Sequence, residues 1–366
     1  MNFSPRDGAL NLLTEAVKLQ AGQRIAIVSE DPALGTYDAL APRCVLETAR
    51  DLGAQAQLIP VQGAEATHLS LELAQALETF DHVLFMASIG DTLRFSPQQN
   101  HAKRTMCYAL DIGTLGSAGA TVSFQLMREI QKRFEQESGT AQTWHIQCPL
   151  GTDLCGTQDV AAIQAGTAPD FSMTRFPVCA PRPTLCSDAE GVVALSHWLL
   201  PTGNGNYDDA TLDLNAPIFA VIKRGRIVDF QGDKKTARAA TRHYQRVASL
   251  FNIDPWAVHS WHAGMNPGIS YPVSAHGDPS RWGKTAFANP RYLHFHTCGD
   301  YAPGEICWSV FDATVTMDQQ VYWQDGYFCF LDRADIRELL AKHNYPDGLE
   351  VRRDIGVPLP QLLRAQ

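Results

Sequence analysis

The chain of 366 residues lacks several features that would assign it to common classes of protein. Its nine cysteines are odd in number and form no Cys-x-x-Cys pair, which argues against a disulfide framework and against a structural zinc knuckle. The formal net charge of −9 does not favour a nucleic-acid or anionic-membrane partner. No apolar run approaches the length of a membrane span, and the first seven residues carry no secretory signal. We therefore expect a cytoplasmic protein with reduced thiols.

The first part of the chain alternates between helical and strand-like patterns. Apolar residues recur at helical spacing in three segments, and short β-rich runs lie between them; the helical segments are 7–19, 40–52 and 69–77, and the runs are 23–28, 55–61 and 82–86. Strands separated by helices indicate parallel βαβ units. The sequence therefore predicts an α/β N-terminal domain over residues 1–140. No Gly-x-Gly-x-x-Gly motif follows its first strand, so a dinucleotide cofactor is not expected.

The rest of the chain has a different sequence pattern. Short β-like runs are separated by Gly, Pro, Asn and Asp, with one helical segment among them; the runs are 144–148, 218–222, 226–230, 292–296 and 306–315, and the helix is 234–250. Residues 223–226 resemble a hairpin turn in which Gly225 supplies a positive φ. We predict a β-rich α+β domain over 141–366, built on a curved antiparallel sheet. It is expected to carry the functional site, facing the interface between the two domains.

Two short histidine clusters in the second domain suggest a metal site. His259 and His262 form the first cluster, and His294 and His296 form the second, with Asp300 close behind. Residues two apart on a strand point to the same face, so His294 and His296 would present two imidazoles side by side. Two histidines and a carboxylate are ligands of zinc hydrolases and of non-haem iron(II) oxygenases. The alternative is a partly exposed histidine pair without metal.

Four short motifs resemble segments of the aminopeptidase T superfamily, whose members include 2,5-dihydroxypyridine 5,6-dioxygenase. The motifs are Leu-Gly-Thr-Asp-Leu at 150–154, Ser-Asp-Ala-Glu-Gly at 187–191, Lys-Arg-Gly-Arg-Ile-Val at 223–228 and Gly-Met-Asn-Pro at 264–267. Their order and spacing are also similar to those of the family. The resemblance implies an enzyme that acts on a small organic molecule, uses a metal ion and forms a homo-oligomer.

The metal-ligand pattern departs from that family. The resemblance implies a His-x-Asp ligand pair on a late strand, and the corresponding positions here are Val310 and Asp312; the earlier family histidine falls near Ser260. Either the metal site has moved or metal has been lost and a pocket kept. We expect His294 and His296 as the ligand pair, with Asp300 or Asp312 as the carboxylate. His262 is expected to be a further ligand or a base.

Four other residues are candidates for catalysis or substrate binding. The resemblance implies a role at the site for Glu190, and a surface turn is the alternative. Tyr301 could donate a hydrogen bond to an oxyanion or be an ordinary rim residue. Thr152 and Asp153 could orient the substrate, or they could form a turn stabilised by an Asx hydrogen bond.

These observations lead to one main functional prediction and two alternatives. The main prediction is a non-haem Fe(II)-dependent ring-cleaving dioxygenase that acts on a small hydroxylated aromatic or N-heteroaromatic compound. A zinc or cobalt metallo-aminopeptidase is the first alternative, although two metal ions would need more ligands than one. The second is a metal-free hydrolase or binding protein that uses the same pocket.

Overall fold

The computed structural model describes residues 3–62, 69–94, 102–164, 173–201, 207–343, 345, 349 and 351–358. In chain order the helices are α1 (Pro5–Asn11), α2 (Leu40–Asp51), α3 (Leu71–Leu77), α4 (Ile89–Leu93), α5 (Ile112–Leu115), α6 (Ala118–Thr121), α7 (Phe124–Ser138), α8 (Val160–Gln164), α9 (Lys234–Phe251), α10 (Pro279–Ala286) and α11 (Ala334–Lys342). The strands are β1 (Arg24–Glu30), β2 (Gln55–Val61), β3 (His82–Met86), β4 (Lys103–Cys107), β5 (Thr143–Gln147), β6 (Asp153–Thr157), β7 (Thr174–Phe176), β8 (Thr184–Leu185), β9 (Glu190–Pro201), β10 (Leu212–Lys223), β11 (Arg226–Gly232), β12 (Val258–Ala263), β13 (Tyr292–Cys298), β14 (Glu305–Phe311), β15 (Thr314–Met317), β16 (Gln320–Gln324) and β17 (Tyr327–Phe328). No helix in these ranges is long and apolar enough to cross a bilayer.

The N-terminal part forms a parallel sheet with the strand order β2-β1-β3-β4-β7. The strands predicted at 55–61 and 82–86 coincide with β2 and β3; β3 is a buried apolar run of the kind that suits a strand covered by helices, whereas β2 is an edge strand with several exposed residues. The helix predicted over 7–19 is interrupted: α1 is followed by a π-helical segment, Leu12–Val17, which ends at Lys18 in the left-handed conformation. The last strand, β7, lies beyond residue 140, where the sequence analysis places the end of the first domain.

The second sheet has twelve strands, and its main path is antiparallel. The predicted hairpin turn is present between β10 and β11, with φ values of 47° at Arg224 and 67° at Gly225. The run predicted at 306–315 is divided into β14 and β15, since Asp312 adopts a φ of 53° between them. The structure therefore has the two expected sheet types, one parallel with helices and one large and antiparallel.

Strands β12, β13 and β14 have one apolar and one polar face. Their register places His262 opposite His294, and His296 opposite Cys307. The alternate residues belong to the main hydrophobic core of this region; they include Trp261, Leu293, Phe295, Ile306, Trp308 and Val310. Because side chains alternate along a strand, burial of these apolar residues turns the histidines together onto the opposite face.

Candidate metal centre

Three histidines converge on the polar face of β12 and β13. One ring nitrogen from each of His262, His294 and His296 lies within 4.8 Å of the other two. The ring centroids are 3.9 Å apart for His262 and His294, 4.8 Å for His294 and His296, and 5.1 Å for His262 and His296. His262 and His294 are buried and His296 is half-buried. The structure thus brings together three residues that the sequence analysis selected, and we call them the histidine cluster.

Glu305 fixes the orientation of one of these rings. Its Oε1 accepts a hydrogen bond from Nδ1 of His296, and its side chain is 1% exposed. The thiol of Cys307 donates to the same oxygen at 3.5 Å. With Nδ1 engaged, Nε2 of His296 is the nitrogen that remains to bind an ion.

The histidine cluster contains several buried polar atoms without a hydrogen-bond partner. They are Nδ1 of His262, Nδ1 of His294, Nε2 of His296 and Oε2 of Glu305. Buried polar atoms are nearly always paired in folded proteins, so four exceptions in one cluster need an explanation. An ion or a polar ligand between the rings would supply the missing partners.

Two rings of the histidine cluster, those of His262 and His294, lie in surroundings that disfavour their charged form. Burial lowers the pKa of His262 and His294 well below the ordinary histidine value. The neighbouring imidazoles and the positive charges of Arg175 and Arg94 lower both pKa values further. Metal ions bind neutral imidazole, so this environment keeps the rings in the form that coordinates.

A second group of polar residues lies at the carboxyl end of the parallel sheet, close to the histidine cluster. Arg94 ends α4 and bonds to Asp91, which is 1% exposed. Arg94 also donates to the hydroxyl of Tyr108 at 2.7 Å, and Tyr108 donates to Asp91 at 2.5 Å. The ring of Phe287 lies 5.5 Å from that of Tyr108 and 6.1 Å from that of His294, so one aromatic residue links the two groups.

Two more cations belong to this edge of the sheet. Arg175 lies on β7, and burial, together with the charge of Arg94, lowers its pKa to about 10 although Tyr108 and Asp91 oppose the shift. Lys284 of α10 donates to Oγ of Ser88 at 3.2 Å, and burial lowers its pKa. Ligands of α/β proteins bind at the carboxyl ends of parallel strands, and here that edge faces the histidine cluster.

Asp312, one of the two predicted carboxylate ligands, is engaged elsewhere. Its oxygens accept hydrogen bonds of 2.8 Å and 3.1 Å from Arg291, and Arg352 forms a further ion pair with it. Asp300, the other predicted carboxylate, lies exposed in the turn after β13. Neither belongs to a group of described residues whose ligand atoms lie within 4.8 Å of one another. The carboxylate that the structure places at the histidine cluster is Glu305.

The remaining predicted site residues occupy other positions. Glu190 is exposed at the start of β9, and Tyr301 is exposed in the turn between β13 and β14. Thr152 is buried, and its Oγ1 accepts a hydrogen bond from the amide of Ala194 at 3.0 Å. Asp153 is exposed and bonds to His145 at 2.6 Å. These contacts show what each residue does in the fold and leave its predicted role in catalysis or binding as a prediction.

Glu305, Arg94 and Arg175 were missed by the sequence analysis. Glu305 is the first residue of β14, Glu-Ile-Cys-Trp-Ser-Val-Phe. In this strand Glu, Cys and Ser alternate with the apolar residues Ile, Trp and Val. A carboxylate at the first position of such a pattern, on the strand after His-x-His, is the signal that could have identified it. The arginines come from segments far apart in sequence, and nothing in their local pattern points to this site.

The residues present fit a single divalent transition-metal ion. Imidazole nitrogen is a preferred ligand of zinc and iron, and a carboxylate that orients a ligating histidine is a common feature of metal sites. The unpartnered ring nitrogens and the low pKa values of His262 and His294 agree with that use. The donor set alone does not select one of these metals.

No protein-family model and no curated protein matches this chain. Two solved structures share its two-domain α/β fold. One is 2,5-dihydroxypyridine dioxygenase from Pseudomonas putida KT2440, with a TM-score of 0.55, 13% identity, and coverage of 88% of this chain and 95% of that one. The other is wild-type AmpT from Thermus thermophilus, with a TM-score of 0.50, 12% identity, and coverage of 88% and 98%. At these identities the likeness establishes the fold alone.

Proposed function

We propose that this chain is a metal-dependent enzyme whose single ion is held by His262, His294 and His296. We further propose a non-haem iron(II) ring-cleaving dioxygenase that acts on a small hydroxylated aromatic or N-heteroaromatic compound. The convergence of three imidazoles, each with an unpartnered ring nitrogen, carries this proposal. The fold shared with 2,5-dihydroxypyridine dioxygenase supports the choice of reaction.

The residues of the site have separate tasks in this proposal. Iron(II), when bound, supplies the redox chemistry that allows O₂ to react with an electron-rich ring. Glu305 accepts a hydrogen bond from Nδ1–H of His296 and so keeps the Nε2 lone pair directed to the ion. The rings of Tyr292, 5.6 Å from His294, and Phe287 exclude water from one side and offer an apolar surface to a flat substrate.

A two-metal aminopeptidase is less well supported by the same residues. Two ions need more ligands than one and a carboxylate to bridge them. The groups of described residues that could hold an ion contain one carboxylate, Glu305, and it is already bonded to His296. Zinc in the three-histidine site is the stronger competing possibility, since this donor set also serves zinc hydrolases.

Elemental analysis of the purified protein tests the proposal. Protein prepared without oxygen and loaded with iron(II) should retain about one iron per chain, since three ligands on two paired strands form one site. It should then consume O₂ with a panel of dihydroxypyridines. Zinc or manganese in place of iron, with release from aminoacyl anilides, would support the aminopeptidase. Protein that retains neither metal would contradict both proposals and favour the metal-free alternative.

His296→Ala is the variant that connects the metal to these residues. It should lose most of the bound metal, because each ligand contributes an appreciable part of the binding free energy. His276→Ala is the matched control, since His276 is exposed and its ring contacts His197 and Trp198 instead. Full metal content and activity in His296→Ala would remove the histidine cluster from the mechanism.

A further inference from the structure

Two hydroxyl groups lie beside one ring of the histidine cluster. Ser309 on β14 is paired with His294 on β13, and paired residues of an antiparallel sheet project their side chains to the same face. Tyr292 lies two residues before His294 on the same strand, so it shares that face. Its ring stacks on the ring of His294, with the centroids 5.6 Å apart and the planes 22° from parallel. Both hydroxyl-bearing side chains are therefore neighbours of a proposed metal ligand.

These two hydroxyl groups carry one proton more than they use. Oγ of Ser309 donates a hydrogen bond to the phenol oxygen of Tyr292 at 3.1 Å. Each hydroxyl has one proton to donate, and a single hydrogen bond joins the two groups. With Ser309 as the donor, the phenol proton of Tyr292 has no acceptor among the residues that the structure describes. Both side chains are buried, so a ligand that brings an acceptor would satisfy a donor that bulk water does not reach.

The phenol of Tyr292 is held in place from several sides. Its ring packs against the buried rings of Trp282 and Phe311, with centroid distances of 5.2 Å and 6.0 Å. Ser309 fixes the oxygen at the end of the ring. Burial, more than any neighbouring group, raises the pKa of Tyr292 above the ordinary tyrosine value. A hydrogen-bond donor that is already oriented needs no reorganisation when its acceptor arrives.

The acceptor that suits this donor is an oxygen with negative charge. Hydrogen bonds to charged acceptors are roughly twice as strong as those between neutral groups. A hydroxyl group that binds to a divalent ion loses its proton more readily, so the ring hydroxyl of an aromatic substrate would become an oxyanion there. Nδ1 of His294, on the ring that Tyr292 stacks against, is one of the unpartnered nitrogens of the histidine cluster. The donor and the proposed metal ligand are thus adjacent.

We propose that Tyr292 is a further catalytic residue, whose hydroxyl donates a hydrogen bond to the ring oxygen of the substrate and favours its oxyanion form. Ser309 is a positioning residue, because its hydrogen bond fixes the phenol oxygen and polarises the phenol O–H. This inference rests on the proposed function for the class of substrate. It adds a donor that does not itself bind the metal.

The probe for this hydrogen bond is 4-nitrophenol, whose coloured phenolate is distinguished from the colourless phenol by absorption. Protein loaded with zinc(II), which does not react with O₂, is titrated with the probe over a range of pH. In wild type the apparent pKa of the bound probe should be lower than that of the free probe. Tyr292→Phe should bind the phenolate about tenfold more weakly, as expected for the loss of one hydrogen bond to a charged group. The apparent pKa of the bound probe should then rise by about one unit.

Controls assign the effect to the oxyanion and to Tyr292. For 4-nitroanisole, in which a methyl ether replaces the hydroxyl, the affinities of wild type and Tyr292→Phe should differ by less than about threefold. Ser309→Ala should weaken phenolate binding by about two- to threefold, since the phenol keeps its proton but loses the group that orients it. Tyr322→Phe is the matched control and should keep the wild-type affinity, because the buried Tyr322 on β16 donates to Glu137 instead.

The outcomes separate this inference from the proposed function. Equal phenolate affinity in wild type and in folded, metal-loaded Tyr292→Phe would overturn the inference and leave the proposed function in place. A larger loss in Ser309→Ala than in Tyr292→Phe would overturn it as well, since the serine would then be the donor. Loss of the metal itself in Tyr292→Phe would show that Tyr292 only maintains the site, and would also overturn it.

Two further results complete the test. Should Tyr292→Phe fail to fold, the decision passes to the wild-type probe pKa and to Ser309→Ala, and an unshifted pKa in wild type contradicts the inference. Wild-type protein that never retains metal contradicts the proposed function. In that protein a tenfold weaker binding of the phenolate by Tyr292→Phe would still support the hydrogen bond from Tyr292, and equal binding would contradict it. The circular dichroism spectrum, melting temperature and metal content of each variant are measured on the same preparation.

Discussion

The histidine cluster lies on β12 and β13, and a second buried polar cluster, Arg291 and Asp312, lies just outside the ends of β13 and β14. The two differ in how fully their hydrogen bonds are satisfied. In the arginine–aspartate cluster, both oxygens of Asp312 accept from Arg291, and Arg352 adds an ion pair. In the histidine cluster, the buried atoms without partners include a nitrogen from every ring and one oxygen of Glu305. Most buried polar groups in folded proteins have a hydrogen-bond partner, so several unpartnered atoms in one place mark a site that a ligand could complete. The protein itself thus completes the arginine–aspartate cluster, whereas the histidine cluster leaves ring nitrogens available to a ligand.

The largest effect on stability is expected at the arginine–aspartate cluster. Asp312→Ala leaves Arg291 buried without its partner, and removal of one member of a buried pair costs about 3–5 kcal/mol. Denaturant unfolding measures this free energy. Asp312→Asn, which tolerates the positive φ at this position, distinguishes loss of the charge from backbone strain. Metal content per folded chain should be unchanged in both variants.

The control for Asp312 is a surface pair of the same chemistry. Asp254 bonds to Arg226 where both side chains are about half exposed, so Asp254→Ala should cost roughly 1 kcal/mol or less. If Asp312→Ala unfolds no more easily than Asp254→Ala and loses its metal, Asp312 is a ligand and the comparison is wrong.

His243 is an isolated buried histidine outside both clusters, and it serves as a second reference for the histidine cluster. Its Nε2 lacks a partner, and burial and the charge of Arg246 lower its pKa to about 4, against the effect of Asp209. A histidine whose folded pKa is below its unfolded value, about 6.5, stabilises the protein above pH 6.5. That stability is lost as the pH falls from 6.5 to 4. Wild type should therefore lose about 2 kcal/mol more than His243→Gln between pH 7.5 and pH 5.

The measurement is the free energy of unfolding at the two pH values for both proteins. The other histidines with lowered pKa values are present in both, so their contributions cancel in the difference. Equal losses would show that folding does not lower the pKa of His243. Added metal should leave the difference between the two proteins unchanged, because His243 lies outside the histidine cluster.

Part of the histidine cluster could be predicted from the sequence, because it depends on local strand geometry. The two-residue spacing of His294 and His296 placed them on one face, and strand geometry alone decides that. The position of His262 opposite His294 depends on the pairing of β12 with β13, which are joined by a long connection. The engagement of Asp312 depends on Arg291 and Arg352, so sequence spacing could not distinguish an aspartate ligand from an ion-paired one.

The edge of the parallel sheet was harder to predict for a related reason. The parallel pairing follows the general rule for βαβ units, and the helices and strands up to residue 86 were largely predicted, whereas α4, β4, α5, α6 and α7 were not. Arg94, Arg175 and the histidine cluster, however, come from segments separated by 80 residues or more. Local periodicity contains no information about which of these segments meet.

Glu305 should affect metal affinity more than stability. Glu305→Gln removes the charge that accepts the His296 proton, and loss of such a partner weakens metal binding by about 10–100-fold. Competition with a chromophoric chelator measures the affinity. Glu190→Gln is the matched control and should bind metal within about twofold of wild type. A strong loss in Glu190→Gln with none in Glu305→Gln would favour the aminopeptidase interpretation of the 187–191 motif.

The smallest expected effect concerns Thr152, which the sequence offers as a candidate for substrate binding or for a structural turn. Its Oγ1 accepts the amide hydrogen of Ala194, so Thr152→Val leaves a buried donor unpaired and should destabilise the fold by about 1–2 kcal/mol. If the contact is only structural, the affinity for a dihydroxypyridine should remain within about twofold of wild type, since a loss of stability that leaves the protein folded does not alter the site. Unfolding and titration of the same preparation measure both quantities. A tenfold loss of affinity with little loss of stability would instead place Thr152 in the binding site and extend the site beyond the histidine cluster.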